Sequence, residues 1–293
     1  MEEKINNKIT EIKLIVQEIT KPFTYTSEQI NMITLAYLSM IMLDDEIEDL
    51  IMEALSKVKI IFTEYEVNVV YQNLVTHRCN QKILKDLSKD QACYLNYLVD
   101  QNGLYGLPII ILPLKEELFE TMDSLIHELK HAINEVIPDF FTYHGEGFYN
   151  SGLALAGENI LWAEKIDEAF NCYLTKIYLD NIAYLKRFSI KDLEMQALLN
   201  KIKIPQKYNY SSEELVLAYK KLFDSQYLFR LFYYTCLYKD FDELNTAIEN
   251  LFKGRMEALE FFDEEKSKKR KRLKKYMNHS LIRNRQKIIP YIK

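Results

Sequence analysis

Six of the seven glycines, Gly103, Gly106, Gly145, Gly147, Gly152 and Gly157, fall within one central stretch, and only Gly254 lies outside it. Glycine supplies tight turns and close backbone approaches, so the middle of the chain is expected to hold strands and short loops. The two flanks do without them and read as helices. At Thr26-Ser27-Glu28 a helix cap is expected, with apolar positions recurring at helical spacing towards Val58. Residues 59–70 are ambiguous, because β-branched and aromatic side chains suit a strand while Glu64 and Glu66 interrupt it.

Leu104 to Leu114 is the clearest strand of the sequence, and Pro108 and Pro113 predict that it lies at a sheet edge. From Lys115 the pattern turns helical. Leu118, Met122, Leu125, Leu129, Ala132 and Val136 form one apolar stripe, which Pro138 is expected to stop. A glycine-rich connection over 140–157 then leads to a second amphipathic helix, from about Asn159 to Asp180. Ser211-Ser212-Glu213-Glu214 offers a capping box for a later aromatic-rich helix.

An apolar share of 48% with 28% charged residues is the balance of a globular chain. At 293 residues it can bury a sizeable core without staples. The net charge of -5 argues against general affinity for nucleic acid or anionic membrane. Ile33 to Leu43, the longest apolar stretch, is about half the length needed to cross a bilayer and is expected to be a buried helix. Met1 to Lys8 shows no apolar region of the secretory kind, so a cytoplasmic protein is expected. Cys79, Cys93, Cys172 and Cys236 form no C-x-x-C pair and are expected to be reduced thiols.

Residues 127–131 read His-Glu-Leu-Lys-His. On a helix, positions i and i+4 share a face one turn apart, so His127 and His131 can reach one ion with Glu128 beside them. Zinc held by neutral imidazoles acidifies a bound water, whose proton a nearby carboxylate can accept. Lys130 fits less well, since inner positions of such a motif are more often uncharged. Two histidines leave a catalytic zinc one protein ligand short. The following helix offers Glu164, Asp167 and Glu168, of which Asp167 is shorter and turned away from the face the two glutamates share.

The H-E-x-x-H helix, the strand before it and the acidic helix after it resemble the zincin metallopeptidases, in the branch where a glutamate from a later helix completes the site. A third histidine six residues after the second would mark another branch, and Ile137 stands there. The resemblance, over about Leu104 to Asp180, implies an α+β, predominantly α-helical fold. Its core would be a small mixed sheet with an edge strand, an active-site helix and a third-ligand helix, flanked by helical regions. It divides the chain into a helical region over 1–103, a catalytic core over 104–182 and a helical region with a basic tail over 183–293. It also implies zinc as cofactor, with His127, His131 and Glu168 as ligands, Glu164 as the replacement for Glu168, and Glu128 as general base. The substrate would be a peptide or protein. Glu168 matches the family's pattern because it precedes the small Ala169, whereas Cys172 stands where the best-known members carry a supporting aspartate.

An oxyanion donor is expected among Tyr143, His144, Tyr149, Tyr173 and Tyr178, with His144 and Tyr149 preferred. Asn171 is a candidate partner for a ligating imidazole. His77 and His279 read as structural. Lys266 to Lys275 concentrates positive charge beyond Asp263-Glu264-Glu265 and reads as a solvated helix end. The rival expectation is a zinc-containing protein without catalysis that contacts nucleic acid through this run.

Overall fold

The computed structural model describes residues 2–65, 69–70, 91–95, 108–137, 139–143, 146–157, 161–162, 164–205, 208–209 and 213–251. His77, Cys79, His144, His279, the cap at Ser211-Ser212 and the basic run lie outside them. The chain forms two compact units. One is built from Met1–Val136 with Thr175–Tyr208, the other from Ile137–Leu174 with Asn209–Tyr291. The described residues are mostly helical with small sheets, an α+β protein as expected. None of their helices is long and apolar enough to cross a membrane.

The first unit opens with α1 (Glu2–Ile19), α2 (Ser27–Ile41), a 3-10 turn at Asp45–Ile47 and α3 (Glu48–Lys57). Thr26 caps α2 as expected, and Gln29 completes the box by accepting from the Thr26 amide. Every residue from Ile30 to Ile41 is buried, so α2 is a central helix with no solvent face. Two of its hydroxyls find partners within the helix: Thr34 Oγ1 donates to the Ile30 carbonyl and Ser39 Oγ to that of Ala36, each at 2.7 Å.

Strand β1 (Lys59–Thr63) takes up the first part of the ambiguous stretch and ends where Glu64 begins. With β2 (Cys93–Leu95) and β3 (Ile109–Pro113) it makes a three-stranded mixed sheet of order β1-β3-β2. β3 pairs parallel with β1 and antiparallel with β2, so the expected edge strand is the middle one. The prolines permit this because they bracket the ladder. The Pro108 carbonyl accepts from Lys59 N at 3.0 Å, Pro113 ends the strand, and Leu114 N donates to the Thr63 carbonyl at 2.8 Å. All five β3 residues are buried, as befits a strand covered on both faces.

Helix α4 (Leu118–Asn134) follows and packs on β2, β3, α2 and α3. It ends before the stretch in which Pro138 stands. Its exit is tightened into two 3-10 bonds, from Glu135 N to the Ala132 carbonyl and from Val136 N to that of Ile133. Val136 therefore lies past the helix whose stripe it was expected to finish.

In the second unit the expected connection over 140–157 is an antiparallel meander of β4 (Asp139–Tyr143), β5 (Glu146–Ser151), β6 (Ala154–Gly157) and β7 (Leu161–Trp162). Gly152, with φ of 62°, takes the first position of the two-residue turn from β5 to β6, where a side chain would be strained. Because Leu161 and Trp162 pair with β6, the next helix, α5 (Glu164–Leu185), starts later than Asn159. α6 (Leu193–Lys201) belongs to the first unit. α7 (Glu213–Phe223), α8 (Gln226–Tyr238) and α9 (Asp242–Leu251) belong to the second. There Phe170 stacks within 5.0 Å of Phe223 and 5.7 Å of both Phe229 and Phe232, an aromatic core around the first half of α5.

Candidate metal centre

The apolar face of α4 (Met122, Leu125, Ile126, Leu129, Ala132 and Ile133) is buried, which fixes the helix rotation and leaves His127 and His131 half-buried. Their Nε2 atoms lie 3.1 Å apart, with ring planes inclined at 69°. Two nitrogens each about 2.0–2.1 Å from one zinc ion and 3.1 Å from each other subtend roughly 100°, close to a tetrahedral angle. The same separation suits an N–H···N bond between two neutral imidazoles. The 3.1 Å separation is therefore compatible with either arrangement.

Glu128 is 9% exposed and faces the sheet side of α4, where Cys93 of β2 lies. Burial first, then the Glu128 charge, push the Cys93 thiol up to about 12 against a backbone hydrogen bond from Ile111. Lys130, the misfit of the motif, is fully buried, and its amine donates to the Asn134 amide oxygen one turn on.

One turn before His127, Asp123 accepts a 2.5 Å hydrogen bond from the Tyr208 hydroxyl. Burial raises this carboxyl above the usual range, while Tyr208 and His127 pull it down. Sequence reasoning missed both residues. The four-residue spacing of Asp123 and His127 is legible, but Tyr208 lies 85 residues away in the chain.

In the second unit, α5 carries the acids singled out as third ligands. Glu164 opens the helix. Asp167 is buried and already engaged, its Oδ1 accepting from Leu153 N at 2.7 Å and its Oδ2 from Asn171 Nδ2 at 3.1 Å. It ties the β5–β6 turn to α5, and Asn171 serves as its partner. Asp167→Ala strands a buried amide and is expected to cost about 1–3 kcal/mol, read as a lower thermal midpoint, with zinc content unchanged. Glu168 is half-buried and turned to the next helical ridge, where Cys172 Sγ donates to its Oε1 at 3.5 Å. The departure from the family pattern already visible at Cys172 thus puts a thiol beside Glu168.

Of the oxyanion candidates, Tyr149 lies in β5 opposite Phe140 and Ala156, and Tyr143 pairs with Glu146 at the end of β4. Tyr173 donates to Asp224 Oδ1 at 3.0 Å beneath the Lys220 ammonium, and Tyr178 is fully buried. Among the described residues no disulfide joins Cys93, Cys172 or Cys236. Comparison with known proteins finds no matching family model, no matching curated protein and no matching solved structure.

Proposed function

We propose that this chain is a zinc-dependent peptidase in which His127 and His131 bind the ion and Glu128 is the general base. The observation that carries this is the 3.1 Å convergence of two imidazole nitrogens on one helical face, a disposition that suits a shared cation. Zinc bound there supplies Lewis acidity towards a carbonyl oxygen and brings a water's pKa towards neutrality. Glu128, next to the first ligand, accepts the water's proton on its carboxylate and returns it to the leaving amine.

β2 ends the three-stranded sheet among the described residues and runs beside α4 at Cys93 and Glu128. An extended peptide adding to that edge would lie along the motif.

The test is metal analysis of the purified chain followed by chelation. About one zinc per chain is expected, with hydrolysis of a mixed peptide pool lost on chelator treatment and restored by zinc. A chain that takes up no zinc overturns the proposal. Tight zinc without hydrolysis of any pool overturns the catalytic half of it in favour of a binding protein.

A further inference from the structure

We infer that Asp123 is a positioning residue for His127, and that Tyr208 holds Asp123 in place. Given zinc on His127 and His131, as proposed above, each imidazole needs a partner on its other nitrogen to fix tautomer and ring orientation. His127 turns Nε2 towards His131, so Nδ1 is the atom an orienting acid takes.

Phe119, Asp123, His127 and His131 follow at intervals of four and form one ridge of α4. Asp123 precedes His127 by one turn, and its charge acts on that ring. The carboxylate itself is clamped. Tyr208 OH donates to its Oδ1. Tyr208 is anchored in turn by Phe119, edge-on at 6.0 Å and 88°, and by the Lys176 ammonium 6.0 Å from its ring centre. Phe119, Lys176 and Tyr208 thus fix the carboxylate one helical turn before the imidazole.

A helix-dipole role does not explain the acid. Only Glu120 occupies the first turn of α4, and the dipole's influence fades beyond it. A half-buried carboxylate is costly to keep unless a cation or donor uses it.

The experiment compares the full-length wild type with Asp123→Asn and Tyr208→Phe, measuring zinc affinity against a competing chelator dye and the thermal midpoint of each zinc-free protein. Asparagine keeps an acceptor for the Tyr208 hydroxyl while removing the charge, so a purely structural role predicts unchanged affinity. The expected result is an affinity about 10–100-fold weaker for Asp123→Asn, and a smaller loss for Tyr208→Phe, with zinc-free midpoints near the wild type. Wild-type affinity in Asp123→Asn overturns the inference and leaves the metal proposal standing. Should Asp123→Asn fail to fold, Tyr208→Phe decides, since unchanged zinc binding there overturns the inference. A wild type that binds no zinc overturns both.

Discussion

Glu128→Gln is expected to retain wild-type zinc and to lose peptide hydrolysis by a factor of about 10²–10⁴, the usual contribution of a positioned general base. The substitution is nearly isosteric, which matters at a site only 9% exposed and packed towards β2. An amide cannot accept the water's proton, yet it leaves His127 and His131 as they are. Two measurements on one preparation suffice: zinc by elemental analysis, and initial rates on quenched fluorescent peptides. A rate within a few-fold of wild type, with zinc bound, would remove Glu128 from the proton-transfer role.

His131→Ala acts on the other half of the site. Deleting one of two convergent imidazoles is expected to weaken zinc binding by more than the roughly 10–100-fold that loss of an outer partner costs, and to abolish hydrolysis with it. The ring is half-buried at the end of α4 and meets His127 edge-on. Zinc-free stability should therefore change by about 1 kcal/mol or less, so the loss reads as metal affinity and not as unfolding. Equal zinc in variant and wild type would sink the ligand assignment. Contrasting outcomes for the two variants, metal kept in one and lost in the other, separate ligand from base.

Much of the fold was legible. The glycine-rich middle does hold strands and tight turns, and Gly152 occupies a turn position that requires its positive φ. Thr26 was a readable cap, because a capping box is local chemistry completed within three residues. β3 was misjudged because two prolines were weighed as edge signals without regard to position. Pro108 and Pro113 sit at the ends of the strand, where a missing donor interrupts no ladder, and the unbroken Ile109–Leu112 run reflects a strand covered on both faces. The second sheet was read as a connection because its strands are short and joined by tight turns, so no window carries a clear alternation.

Backbone periodicity alone put His127 and His131 on one face and Glu128 beside them, since a helix enforces that spacing whatever surrounds it. What holds the neighbouring acids was decided only by tertiary packing. Asp123 takes a hydrogen bond from a tyrosine 85 residues distant, and Asp167 holds the turn at Leu153. Hydrogen bonds between remote segments depend on how elements come together in space, and no local pattern encodes that.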